Sequence, residues 1–454
     1  MSLRLRQLLA PAYLFLCLLI GGSAQGPGRN VALQLVGLAI LAWAAFERPA
    51  ARPPRPARQL IVLAGLGIAW CMVQLVPLPA ALWSMLGPRA GLAESYRLMG
   101  MELPALPLSL APYETVATLL TLIPPLALYV AVERLRAYRA AFMVAALAAG
   151  TLCGIALGIM QVSSPNPLAS PFYLYPSANW GQATGFFANS NHMASLLVVT
   201  LPFLVALAAG ARSSDERKGA AVAAGAAALA LLVIVGIVLN GSLAAYLMLP
   251  PVILASALIY WPTGRRVRRL AIAAAGVAML AAVGTLAVTE VGSRAIGAQP
   301  KENIDSRAYL TAVTARSALQ YLPFGSGLGT YRAVFDAAED PASVSATRSS
   351  HAHDDYLEIA LELGLPGVLL LLVFLGWWAR SAIETWRSPE AQPYVRAAGI
   401  ASAALLAHSL VDFPLRTGAL SAVFAMCLAF LSDRVRSDPT QKGELRPARH
   451  LSLD

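Results

Sequence analysis

Charge is scarce in this chain. Asp, Glu, Lys and Arg make up 13% of its 454 residues, about half the share of a soluble domain. With 57% hydrophobic residues, too little polar surface remains to cover a water-soluble globule of this length. Cysteine is scarcer still: Cys17, Cys71, Cys153 and Cys427 are the only four. All lie inside apolar stretches, so they exclude a disulfide scaffold and read as small buried hydrophobes. Disordered and collagen-like classes are excluded by the same composition. Histidine occurs five times.

What is present is a succession of long apolar runs. A bilayer-spanning helix needs roughly 20 apolar residues. Runs of that order fall at about 8–24, 31–46, 60–79, 115–132, 140–162, 192–210, 219–239, 242–261, 270–289, 359–379, 397–411 and 417–432. The expected fold class is therefore an all-α polytopic membrane protein with about twelve transmembrane helices. The first two runs and the eleventh are short. The N-terminal run has no convincing small-residue cleavage site and reads as a first helix rather than a removed signal.

The basic residues set an orientation. Lys and Arg concentrate in cytoplasmic loops. With the N-terminus inside, each inner segment is basic: Arg4 and Arg6; Arg48 to Arg58; Arg134, Arg136 and Arg139; Arg212, Arg217 and Lys218; Arg265 to Arg269; Arg380, Arg387 and Arg396; and the tail from Arg434. The net charge of +10 is thus a topology signal with an attraction to anionic lipid heads, not the footprint of a nucleic-acid binder. Residues 1–289 hold helices one to nine, 290–358 a large outer loop, 359–432 the last three helices and 433–454 a cytoplasmic tail.

The polar chemistry gathers on the outer side. His192, His351, His353 and His408 all lie at or near that face, while His450 lies in the tail. Ser350-His351-Ala352-His353-Asp354-Asp355-Tyr356-Leu357-Glu358 stands where the large loop re-enters the membrane. Imidazoles suit proton transfer from a hydroxyl, and neighbouring carboxylates can orient them. The same stretch also reads as a helix start capped by Asp354 or Asp355. Its His-x-His-Asp-Asp run is similar to a ligand run of metallo-β-lactamase-like hydrolases, but Tyr356 occupies the last His position. Upstream, Pro323-Phe324-Gly325-Ser326-Gly327-Leu328-Gly329-Thr330-Tyr331 permits close backbone approach or a tight turn; no strand precedes it to make a dinucleotide fingerprint.

Two more stretches matter. Gly185-Phe186-Phe187-Ala188-Asn189-Ser190-Asn191-His192 opens the sixth span, with Asn189 or Asn191 a candidate N-cap. His408-Ser409-Leu410-Val411-Asp412-Phe413-Pro414-Leu415-Arg416 ends the eleventh. His408 and Asp412 share one helix face, as a structural pair or as support for a site. On the outer side, Arg307, Arg316, Arg332 and Arg348 are natural anion partners, since guanidinium suits diphosphate by bidentate geometry.

These four stretches, in order over about residues 180–420, resemble the O-antigen ligase/polymerase superfamily (Wzy/WaaL-like). The resemblance implies a GT-C-type membrane glycosyltransferase with its active site in the periplasm. Its implied home is the bacterial inner membrane. Its donor would be a glycan on undecaprenyl diphosphate, and its acceptor a glycan or lipid A–core. Membrane lipids and a chain-length regulator protein are further implied partners; nucleic acid, metal and cofactor are not. The family's loop histidine, usually followed by Asn, matches His353, followed here by Asp354. Many members carry an Arg near the place of Gln182, and a Ser-Arg pair where this chain has Ser242-Leu243. Either Arg307, Arg348 and Arg416 replace those anchors or the chain is a divergent polymerase.

The expected catalytic set is His353 and His351, with Asp354 or Asp355 orienting the base. Arg307, Arg348 and Arg416 would bind diphosphate, and Asn191, His192, His408, Asp412 and Tyr356 would support the site. The expected reaction is inverting transfer to a sugar hydroxyl, by a polymerase in preference to a ligase. A protein O-oligosaccharyltransferase and a lipid-linked oligosaccharide transporter are the other readings. A transporter would need ionisable residues deep in the spans, and few occur there.

Overall fold

The computed structural model describes residues 3–23, 27–47, 52–212, 216–261, 264–288, 302–340 and 349–433. Helices dominate it. Leaving aside the short helices Leu3–Arg6, Ala80–Trp83 and Arg89–Leu98, in chain order they are α1 (Leu9–Ile20), α2 (Pro27–Phe46), α3 (Arg55–Val73), α4 (Pro112–Leu120), α5 (Ile123–Glu133), α6 (Ala140–Val162), α7 (Ser190–Ala211), α8 (Glu216–Asn240), α9 (Leu243–Tyr260) and α10 (Arg265–Val288). Then follow α11 (Glu302–Gln320), α12 (Tyr331–Ala338), α13 (Asp355–Arg387), α14 (Pro393–His408) and α15 (Gly418–Ser432). Among the described residues the only sheet is a two-residue antiparallel ladder, Pro77–Leu78 with Leu106–Pro107.

The all-α polytopic reading holds. Its count of twelve does not stand on these helices alone: eight spans among the described residues are long and apolar enough to cross a membrane. Length accounts for most of the difference. α1 has 12 residues, α15 has 15 and α14 has 16, and at 1.5 Å per residue each falls short of the roughly 30 Å hydrocarbon layer. The fourth expected span is α4 followed by α5, with Pro124 and Pro125 at the start of α5. The tail beyond Asp433 and residues 289–301 of the large loop lie outside the described residues.

α7 is the centre of the bundle. Its residues are apolar nearly all round, and most are buried, as expected of a helix enclosed by others. It packs on α8, α9 and α14, while α15 packs on α5 and α1 on α6. Asn189 caps it, accepting from the Asn191 N–H at 2.8 Å. That cap fixes where the Asn-Ser-Asn-His stretch enters the bundle.

A second, smaller core holds the large loop. Leu310 and Val313 of α11, Tyr331, Val334 and Phe335 of α12, and Ala352 and Leu361 are buried together. The loop is locked onto a break in α13 at Gly364, whose φ of 62° and ψ of −154° are not helical. Pro366, two residues on, has no N–H to give, so the carbonyls before it need other partners. Residues 325–327 supply them. The Ser326 N–H donates to the Leu361 carbonyl at 2.9 Å and the Gly327 N–H to the Glu362 carbonyl at 2.9 Å; Leu365 N–H returns a bond to the Pro323 carbonyl at 2.8 Å. A Cβ on Gly364 would stand 2.3 Å from the Pro323 oxygen, and one on Gly325 2.3 Å from the Glu362 oxygen. The expected close approach of the Gly-rich run is therefore to a broken helix of its own chain.

Gln74, after the end of α3, completes the joint. Its amide nitrogen donates to the Glu362 carbonyl at 2.9 Å and the Phe324 carbonyl at 3.2 Å, and its amide oxygen accepts from Leu328 N–H at 3.1 Å. Trp70 Nε1 donates to the Leu363 carbonyl at 3.0 Å.

Candidate functional site

Four segments distant in sequence meet at one small cavity of about 180 Å³, the volume of about six waters. They are Gly22 and Ser23 after α1, the loop and cap before α7, the stretch from Ser350 to His353 before α13, and the turn from α14 to α15. His192, His351, His353, Phe413 and Arg416 all line it. Phe413 is the spacer, its ring meeting the imidazoles of His351 at 4.4 Å, His353 at 4.9 Å and His192 at 5.0 Å between centroids.

Asp412 is the hub of one half. His353 Nδ1 lies 3.3 Å from its Oδ1 and His192 Nε2 3.6 Å from the same atom. Its Oδ2 accepts from Asn191 Nδ2 at 2.9 Å and stands 4.0 Å from His408 Nε2. Burial works against a charge on Asp412. The facing imidazoles of His192 and His353 outweigh it and hold the carboxyl well below the usual carboxylate range. Behind this layer, Ser195 Oγ and His408 Nδ1 share a hydrogen bond of 2.6 Å, and Ser242 Oγ donates to Asn191 Oδ1 at 2.8 Å.

Glu358 organises the other half. Its Oε1 is 2.9 Å from His351 Nδ1, and its Oε2 accepts from the Ala352 N–H at 3.1 Å. Arg416 stands beyond it, with Nε 3.3 Å from Asp355 Oδ1 and Nη1 3.2 Å from Glu358 Oε1 and 3.4 Å from Glu362 Oε2. Burial alone would lower the guanidinium's proton affinity; Glu358, Glu362 and Asp355 reverse that and raise it. Nη2 has no partner among the described residues, and Arg416 borders the cavity.

The backbone at His353 has φ of 55°, a left-handed conformation that costs a non-glycine residue about 1–2 kcal/mol. It turns the chain between His351 and the cap of α13, so that the two imidazoles face different carboxylates around one ring.

The geometry redistributes several expected roles. Asp354 does not face His353. Its carboxylate accepts from the Tyr356 and Leu357 N–H groups at 2.9 and 3.0 Å, capping α13, and burial pushes its pKa up. Asp355 turns to Arg416 instead. The carboxylates that orient imidazoles are Asp412 and Glu358, because a helix start aims its first carboxylate at its own free N–H groups. His408 and Asp412 do face one another, and Asn191 and His192 join them. Tyr356 points away from the cavity, its hydroxyl donating to the Leu406 carbonyl at 2.7 Å. The side chain of Arg307, within α11, and the whole of Arg348 lie outside the described residues.

Residues not singled out from the sequence also enter. Glu358 and Glu362 sit at i, i+4 on α13 and so share a face with Asp355, a periodicity that could have marked them. Ser195 follows Asn191 by four residues in the same way. Gln182 receives the Ser190 hydroxyl and belongs to the wall behind Asn189. Nothing local in the sequence marks Phe413 as the spacer.

Residues 227–372 match the family model described as O-Antigen ligase (Wzy_C). The match supports the O-antigen ligase/polymerase superfamily. It covers the Gly-rich run, the His-Ala-His segment and the break in α13; the Asn191–His192 and His408–Asp412 stretches lie outside it. No curated protein matches the chain. In general terms the superfamily carries out ligase- or polymerase-type glycosyl transfer in a membrane.

Proposed function

We propose that this superfamily member transfers a glycan from an undecaprenyl diphosphate carrier to a sugar hydroxyl at the periplasmic face of the inner membrane, acting as a polysaccharide polymerase. The observation that carries the reading is the cavity in which two carboxylate-backed histidines converge with a guanidinium.

His353 is the base. With Nδ1 turned to Asp412, Nε2 is the nitrogen left to take the acceptor's hydroxyl proton. The acceptor oxygen bonds to the anomeric carbon of the donor. The bond from that carbon to the diphosphate oxygen breaks, and its electron pair leaves with the carrier. Attack opposite the leaving group inverts the anomeric configuration. Asp412, already ionised, steadies the imidazolium that forms. Arg416 Nη2, with Arg307 and Arg348, offsets the charge gathering on the diphosphate. His351, fixed by Glu358, positions the acceptor.

The polymerase reading rests on the sequence: Gln182 and Leu243 stand where many relatives carry arginine. Glycan analysis of a deletion strain tests it. Single repeat units left on core or carrier support a polymerase. Full-length polymer stranded on the carrier, with bare core, means a ligase, and unchanged glycans would remove the reading.

A further inference from the structure

A second cavity, of about 950 Å³, opens between α9, α10, α13 and α14. Its walls are apolar, built from residues such as Ile272, Met279, Trp378 and Leu406. Gly276 lines it, and a Cβ there would meet nothing within 4 Å. Its two ends differ in charge. Tyr356 and Leu410 mark the end beside the histidine site, and the Tyr356 hydroxyl is already bonded to the Leu406 carbonyl. Arg268, Arg269 and Arg387 mark the other end.

None of these three guanidinia forms an ion pair among the described residues, whereas Arg380, on the same helix as Arg387, is paired with Glu384. Arg396 adds a fourth positive charge nearby, its guanidinium 5.7 Å from the ring centre of Trp386. Such a cluster beside an apolar groove calls for an anion with a hydrocarbon chain. Along α10, Arg268 to Leu280 spans about 18 Å, a little more than one leaflet of a roughly 30 Å hydrocarbon layer. A polyprenyl diphosphate would need its head at the histidines and Arg416, and in this groove it would leave Arg268, Arg269 and Arg387 at the far end without an anion. A phospholipid of the opposite leaflet places its head at the arginines.

We propose that this groove is a binding site for an anionic phospholipid, its phosphate held by Arg268, Arg269 and Arg387 and one acyl chain lying between α10, α13 and α14.

The test uses the purified full chain in detergent, with phosphatidylglycerol, phosphatidylcholine and undecaprenyl phosphate as separate probes, read by native mass spectrometry and by thermal shift. Phosphatidylglycerol is expected to be retained and to raise Tm, and phosphatidylcholine to do neither. Replacing all three arginines by Gln should weaken retention about 100-fold, the weight of three guanidinia near one anionic head. Gly276→Leu fills the groove, leaves the arginines in place and should also abolish retention; it decides the matter if the triple variant does not fold. Equal retention of phosphatidylcholine, retention of undecaprenyl phosphate in preference to phosphatidylglycerol, or undiminished binding by the Gly276→Leu variant would each overturn the assignment.

Discussion

His353 Nδ1 stands 3.3 Å from Asp412 Oδ1, and this contact joins the segment before α13 to the turn after α14. The histidine lines the cavity with a quarter of its side chain exposed, while the aspartate is 1% exposed. One member of the pair can reach substrate and the other cannot. That asymmetry separates a base from the group that orients it.

His353→Ala should lower the rate of transfer of a purified lipid-linked donor by about 10²–10⁴-fold, the usual worth of a general base. Asp412→Asn should lower kcat with little change in donor KM, since Asp412 is buried behind His353 and does not line the cavity. Asp354→Ala should cost about 1 kcal/mol of stability as a lost cap and leave most activity. Full activity in the His353 variant would remove the centre of the mechanism.

The Asp412 pair has a definite pH signature. Its carboxyl lies well below the usual range in the fold, against about 3.9 unfolded. A depressed folded pKa gives stability that is present above the unfolded value and is lost as pH falls through the folded one. The Tm gap between the native chain and Asp412→Asn should therefore be open at pH 5 and above and narrow only below about pH 4. A gap that closed between pH 7 and 5 would mean that the aspartate is not held this way.

Arg416 is the one described guanidinium facing Asp355, Glu358 and Glu362. Arg416→Ala leaves these carboxylates buried without it, a loss on the order of 3–5 kcal/mol. Lysine presents a single point charge rather than a fork, so Arg416→Lys should recover only part of the stability. Thermal unfolding in detergent reads both. An undisturbed Tm in Arg416→Ala would show that the cluster is not held by its charge.

Gly364→Ala should loosen the joint between α13 and the Gly-rich loop, because the added carbon meets the Pro323 carbonyl and the Gly325 nitrogen. Gln74→Ala leaves the same joint short of three hydrogen bonds, at about 1–3 kcal/mol for each buried group left unsatisfied. Both should speed amide exchange over residues 323–330 before global unfolding. Unchanged exchange there would mean that the loop is held by something else.

The membrane class, most of the helices and the four polar stretches could be read from the sequence alone, because apolar runs of this length cross hydrocarbon as helices and leave few places for polar residues. Even local pairings were visible where spacing is short: Asp354 as a cap, and His408 facing Asp412 one turn on. Which carboxylate orients which imidazole was not visible. Asp354 and Asp355 are adjacent to His353 in the chain, yet the free N–H groups of α13 take one and Arg416 takes the other. Asp412 reaches His353 only because α14 packs on α7 and turns back at Phe413. Proximity in sequence fixes partners within one helical turn. Beyond that, the packing of the bundle chooses them, and it brought the histidines around one phenylalanine from segments with no common local signal.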